Sequence, residues 1–157
     1  MHLKFVLYVC PFRTTKEHIF VIGGGTAQQI GSTHVDEFLV REGRWRERAL
    51  LVSRCQQLAA TVLKLEAAAD QEGGEKALIS IFGGSFIDGP MRRRLRSCEL
   101  YDVSQDRKHK LRDLREKRNV LGFASLPGDN RVFLFGGNNG SSVHACVVFC
   151  EQTGRPG

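Results

Sequence analysis

Three times in 157 residues an apolar run ends in two consecutive glycines: HIFVIGG (18–24), ALISIFGG (77–84) and RVFLFGG (131–137). The pairs Gly23-Gly24, Gly83-Gly84 and Gly136-Gly137 lie 60 and then 53 residues apart. Self-similarity at such a period marks repeat architectures, in which one supersecondary unit stacks against copies of itself. No other feature restricts the fold as much, because glycine at a strand end admits conformations and close approaches that a side chain blocks.

Taken alone, the first pair suits a different assignment. A strand running into glycines opens dinucleotide-binding folds, whose G-x-G-x-x-G/A loop serves the turn, the approach of pyrophosphate and helix–strand packing. Gly23 and Gly25 fit the first two places, but Gln28 stands where the third small residue belongs. A helix should follow, with its N-terminus facing the phosphates, yet Gly31, Ser32 and Thr33 break one almost at once. Glu42 lies near the distance of a ribose-binding acid, but it is one acid in a charged stretch. A phosphate loop occurs once per site, whereas recurrent copies are architecture. Nucleotide binding through Gly23-Gly25 is the weaker reading.

Each pair is followed by a second short strand: VDEFLV, SCELYDV and ACVVFCE. In the first two units the segments RWRERALLVSR, ending at Arg54, and KHKLRDLREKR, ending at Arg118, come next. The strand-like runs QLAATVLKLE and NVLGFASL follow, and the polar turns AAADQEGGEK and PGDN lead to the next pair. The pattern predicts a helix-poor, all-β chain with strands near 3–9, 18–23, 35–40, 45–52, 58–65, 77–82, 97–103, 120–126, 131–136 and 144–150. A further strand near 109–114 stays open, since KHKLRDLREKR also suits a short helix and Leu111 and Leu114 do not decide between them. Residues 85–96 read as a connecting loop.

This ordered set resembles kelch repeats: a strand ending in Gly-Gly, a variable loop, a Tyr-Asp-type strand, a Trp, then an Arg before the next strand. Ile81-Phe82-Gly83-Gly84, Tyr101-Asp102 and Arg118 match it, as do Ile22-Gly23-Gly24, Phe38, Trp45 and Arg54. The third unit supplies Phe135-Gly136-Gly137 and Phe149. Leu39 and Cys150 replace the Asp in the first and third units, and Lys108 stands where the second Trp would be. The resemblance implies antiparallel four-stranded blades of a kelch-type β-propeller, in units near 1–53, 54–117 and 118–157 of a single region. It further implies that the glycine pairs turn the chain at blade corners, and that Trp45 and Tyr101 pack between neighbouring blades. Closed propellers have about four to eight blades, so two and a half units imply a fragment whose remaining blades come from a longer parent chain. Assembly with other chains is the alternative.

Composition narrows the function classes. With 41% hydrophobic residues and no apolar run of membrane-spanning length, a globular chain is expected. MHLKFVLYVC lacks the length and cleavage site of a signal peptide and reads as a strand. Cys10, Cys55, Cys98, Cys146 and Cys150 are odd in number, without C-x-x-C or paired Cys/His spacing. Cys146 and Cys150 would lie about 13 Å apart on a strand, too far for a local disulfide. Reduced thiols in a cytoplasmic or nuclear protein are the expectation. His2, His18, His34, His109 and His144 are scattered. No cofactor or metal is expected.

The net charge of +6 resides in residues 91–118, which hold eleven Lys/Arg against five Asp/Glu. Its densest part, MRRRLR, places Arg92, Arg93, Arg94 and Arg96 in the loop after the second pair. Four guanidinium groups there suit carboxylates or phosphates, and no base-stacking aromatics interleave, which disfavours nucleic acid. The kelch resemblance implies a non-catalytic protein-interaction module or scaffold binding through blade-connecting loops; the basic run is open to two readings, a surface for an acidic protein partner or simply a solvated loop. No BTB domain supports a ubiquitin-ligase role. The alternative is part of a kelch-type enzyme, such as a copper oxidase or a sugar isomerase. Such sites draw on many blades, which this chain does not supply.

Overall fold

The computed structural model describes residues 9–10, 18–25, 28–65, 76–125, 131–143 and 146–150. It is all-β and antiparallel, with no helix among the described residues. The first sheet takes β1 (Val9–Cys10), β2 (His18–Ile22), β3 (Val35–Leu39) and β4 (Arg44–Glu47) in that order. The second begins with β5 (Ala59–Leu65) and β6 (Lys76–Phe82). A separate hairpin of β7 (Ser85–Asp88) and β8 (Met91–Arg94) intervenes. β9 (Cys98–Asp102) and β10 (Arg107–Lys110) then complete the second sheet in the order β5-β6-β9-β10. The third sheet holds β11 (Gly122–Ser125), β12 (Arg131–Phe135) and β13 (Cys146–Cys150).

The three sheets repeat one register. Ile19 pairs with Phe38, Ile79 with Tyr101 and Val132 with Phe149, each first member lying four residues before its glycine pair. One strand further out, Phe38 pairs with Trp45 and Tyr101 with Lys108. Side chains alternate across a strand, so β6 sends Ile79 and Ile81 into the cluster shared with Phe20, Ile22 and Val35 of the first sheet. It sends Leu78 and Phe82 into the cluster shared with Val132 and Leu134 of the third. A strand covered on both faces has no polar side to show, which is why ALISIF is almost continuously apolar.

The chain closes each sheet through its glycine pair. All six glycines have positive φ, near +60° for the first member except +67° at Gly23, and 94° to 103° for the second. The Gly84 amide donates to the Arg118 carbonyl at 2.8 Å, and the Gly24 amide to the Cys55 carbonyl at 2.9 Å. Each acceptor belongs to the segment carrying the chain toward the next sheet. A Cβ on Gly83 would collide with the same Arg118 oxygen and stand 3.1 Å from the Leu121 side chain. Left-handed backbone and absent space together restrict the position to glycine.

Several expectations need correction. Residues 85–94 are a hairpin, not an irregular loop. Gly89 has φ +56° and precedes Pro90, so the two-residue turn has the sign pattern of the type II′ turns that suit strand twist. β4 stops at Glu47; the Arg48 amide still donates in register to the Val35 carbonyl at 2.9 Å, and the Leu51 amide bonds the Thr33 carbonyl at 2.8 Å, one position out of register. The open region near 109–114 resolves as strand only to Lys110. Residues 3–8 and 144–145 lie outside the described set. Trp45 does not pack between sheets: it is 57% exposed on the outermost strand of its sheet, 5.0 Å from the Phe38 ring. Cys55, not Arg54, holds the place of Arg118, since those two carbonyls receive the glycine amides.

The corner geometry makes a stability prediction. Gly83 and Gly89 both have positive φ, but nothing lies within 4 Å of a Cβ on Gly89. In urea unfolding, Gly89→Ala should cost about 1 kcal/mol through backbone strain alone, and Gly83→Ala at least ~3 kcal/mol. Equal costs would remove the steric role assigned to the pair.

Candidate functional site

The glycine-pair ends of β2, β6 and β12 each lead into a loop or hairpin. The first two of these connections touch. The Ile87 amide donates to the Ile30 carbonyl at 2.9 Å, and Gly31 abuts Phe86. The Arg54 guanidinium lies 4.8 Å from the Phe86 ring centroid, a cation–π contact that fixes the charge on the hairpin.

The four arginines of the basic run do not form one patch. Cross-strand pairing sets Arg93 beside Phe86, and Arg92 and Arg94 beside Ile87 and Ser85 on the opposite side of the hairpin. Arg92 turns inward, its Nη1 donating to Gln57 Oε1 and Ser85 Oγ, both at 3.2 Å. Asn119, itself buried, donates to the same two acceptors at 2.8 and 3.3 Å. Gln57 has φ +52° and Val120 φ +55°, so the segments bearing this cluster take the same turn before β5 and β11. Arg93 stands 3.6 Å from Asp88 and Arg96 3.2 Å from Asp113, with both arginine side chains more than half exposed. Beside them, β10 places Arg107, Lys108, His109 and Lys110 on the exposed edge of the second sheet. Charged side chains on an edge strand discourage pairing with stray chains.

Arg118 is buried, with Nη1 3.4 Å from the Gly136 carbonyl and Nη2 3.7 Å from Glu116. It braces the second sheet against the third glycine pair. Asp102 is also buried, and its Oδ1 accepts from the Ser104 amide and hydroxyl and the Gln105 amide at 2.7–3.1 Å. It caps the turn into β10 from within. Leu39 holds the same place in the first sheet, where its carbonyl accepts from the Gly43 amide at 2.8 Å.

A polar network missed in the sequence joins the first two sheets. Glu37, fully buried, accepts from His18 Nδ1 at 2.5 Å and from Arg46 Nε at 2.8 Å, with Arg48 3.6 Å away. Arg48 Nε donates to the Tyr101 hydroxyl at 2.9 Å, and that hydroxyl donates to Asp106. Tyr101 is fully buried, with its ring edge-on to Phe20 at 6.5 Å. Burial, then the hydrogen bond to Asp106, push its hydroxyl well above the usual tyrosine range. Burial would raise Asp106, but the Ala49 amide, the Tyr101 hydroxyl and the Arg48 charge together hold it below the ordinary value. Burial also opposes the Arg48 charge, and the Tyr101 hydrogen bond with Glu37 and Asp106 still holds its pKa above normal.

The two thiols whose surroundings are described, Cys55 and Cys98, offer no nucleophile at neutral pH. Burial, and next the charge of Glu99, push Cys55 up to about 12, and burial likewise takes Cys98 to about 12. Reactive cysteines need the thiolate. Among the described residues no group of three or more His, Cys, Asp and Glu could hold a metal ion. No helix is long and apolar enough to cross a membrane among them either.

No family model and no curated protein matches the chain. A solved structure described as "Structure of YjhT" is similar in fold, with a TM-score of 0.54 at 11% identity, over 81% of this chain. This chain spans a third of that protein's length, 33%. At that identity the likeness concerns the fold alone.

The network predicts acid sensitivity. A carboxylate held low in the folded state contributes stability that is present above its unfolded pKa, near 4, and is lost as pH falls through the folded value. Urea midpoints measured from about pH 6 down to about pH 2.5 should fall less steeply for Asp106→Asn than for the parent. Parallel curves would mean that Asp106 is not held low by its partners.

Proposed function

We propose that the chain is a set of kelch-type β-propeller blades acting as a non-catalytic protein-binding module, which takes an acidic segment of its partner at the glycine-pair ends. Two observations support the propeller reading: the register shared by the three sheets and the sequence pattern. One observation carries the partner class. The β7–β8 hairpin is a short element seated on a packed scaffold and carries the exposed guanidinium group of Arg93, with the exposed one of Arg96 just beyond it and that of Arg54 stacked on its Phe86.

Binding residues concentrate on connections held by a rigid framework. Planar guanidinium groups recognise carboxylates bidentately and keep their charge at any physiological pH. Arg92 serves differently, since its bonds to Gln57 and Ser85 fasten the hairpin to the body. Of the two carboxylates facing the exposed pair, Asp88 is itself solvent-accessible and competes only weakly for Arg93, whereas Asp113 is partly buried beside Arg96.

The test uses fluorescent poly-glutamate as the probe of acidic recognition. The double variant Arg93→Ser, Arg96→Ser should keep the parent's unfolding free energy in urea within about 0.5 kcal/mol, because exposed charges add little to stability. It should bind the peptide several-fold more weakly at low salt, and the difference should shrink as salt rises past physiological strength. Equal binding by parent and variant at low salt would remove these arginines from the partner surface.

A further inference from the structure

Two aliphatic side chains stand out of the segment that crosses from the first sheet to the second. That crossing is bonded as the next one is. The Arg48 amide donates to the Val35 carbonyl as the Leu111 amide does to Cys98, and Leu51 donates to Thr33 as Leu114 does to Arg96. Leu51 and Leu114 therefore hold one place in the repeat, and both are buried. The neighbours of Leu51 behave differently: Leu50 is 48% exposed and Val52 60%, the highest value for a large apolar side chain among the described residues. In the second crossing the corresponding places hold Asp113 and Arg115. The fold accepts charged residues there, so packing does not account for the aliphatic pair.

The pair is fixed in place and lies next to cations. The Val52 and Ser53 amides donate to the buried carboxylate of Glu99 at 3.0 and 3.3 Å, and Lys108 Nζ donates to the Leu50 carbonyl. Two residues past Val52, Arg54 stacks on Phe86, whose cross-strand neighbour is Arg93. The exposed Met91 shares the Arg93 face of β8, since it stands two residues before it on the strand. Exposed apolar positions thus accompany both guanidinium-bearing ones.

We propose that this surface recognises an acidic segment in which bulky apolar residues are interspersed among the acids; the inference rests on the acidic-partner reading above and narrows it. Arg54 and Arg93 bind carboxylates, and Leu50, Val52 and Met91 take the apolar side chains. Arginine beside exposed aliphatic surface is the composition of a protein interface, where desolvated apolar contacts and planar cations supply most of the affinity. A purely anionic ligand would leave the aliphatic pair in water. An anionic bilayer fits worse, because a flat surface laid over the hairpin and the crossings would also cover Asp88 and Glu116, both more than half exposed. A segment one strand wide needs only the run from Leu50 through Val52 and Arg54 to the hairpin.

The test compares two fluorescent peptides of equal net charge on the full 157-residue chain: poly-glutamate, and a peptide in which single leucines separate pairs of glutamates. The leucine-bearing peptide should bind roughly tenfold tighter, and its advantage should persist above physiological salt, because apolar contact is not screened. The double variant Leu50→Ser, Val52→Ser loses only exposed side chains and should keep the parent's urea midpoint. It should bind poly-glutamate as the parent does and lose most of the advantage. Equal binding of the two peptides by the parent, or a full advantage retained by the variant, overturns the proposal. If poly-glutamate binding still depends on Arg93 and Arg96, either result leaves the acidic-partner reading standing. Loss of that dependence removes the reading itself, and this inference with it. Pelleting of the parent with phosphatidylserine vesicles, abolished in the double variant, overturns the proposal as well and assigns the aliphatic pair to a lipid surface.

Discussion

The contact between a glycine amide and a crossing carbonyl underlies everything else in this molecule. Gly84 holds the Arg118 carbonyl and Gly24 the Cys55 carbonyl, each where the chain leaves one sheet for the next. The left-handed backbone of the first glycine in each pair turns the strand end so that the second can point its amide outward. The clasp gives the crossing carbonyls short bonds where a buried carbonyl without a partner costs about 1–3 kcal/mol, and the Cys55 carbonyl also accepts a longer one from the Ser32 amide at 3.3 Å. The clasp also sets the distance between sheets, so the apolar faces of β6 meet both neighbours.

Apolar packing and polar pairing divide the work between sheets. The second and third sheets meet mainly through aliphatic and aromatic side chains, whereas the first and second add a polar chain from His18 through Glu37 and Arg48 to Tyr101 and Asp106. A fully buried carboxylate such as Glu37 is tolerable only because cations and donors surround it. Such pairing adds little net stability over an apolar core, but it rejects misaligned sheets, since a slip would strand a charge. The hairpin depends on the same framework: Arg92 and Asn119 pin it through Gln57 and Ser85, and Arg54 stacks on its Phe86.

Much of this was legible in the chain, and the rest was hidden for physical reasons. The glycine pairs and the apolar runs before them announce themselves because φ and burial restrict those positions to few residue types. The hairpin stayed hidden because Met-Arg-Arg-Arg has no apolar alternation; its strand state comes from the Gly89-Pro90 turn and from Arg92 bonding to distant residues. Nothing in VDEFL marks Glu37 as buried, but the pleat turns it inward, toward arginines 9 and 11 residues away and a histidine 19 residues away. Trp45 misled because a large aromatic reads as core, while its exposure depends on whether another sheet lies against its own. Arg54 missed its structural place by one position, because only the acceptor of the Gly24 amide identifies Cys55 there.

The clasp is best tested by amide hydrogen exchange at single residues. Amides in a cooperatively packed unit exchange only through its larger openings, whereas loop amides exchange freely. If the clasp ties the sheets together, the Gly24 and Gly84 amides will exchange within about tenfold of the slowest amides in β6, and the Gly89 amide will exchange orders of magnitude faster. Exchange of Gly24 and Gly84 at the rate of Gly89 would contradict the account, because the glycine pairs would then be simple turns with no hold on the next sheet.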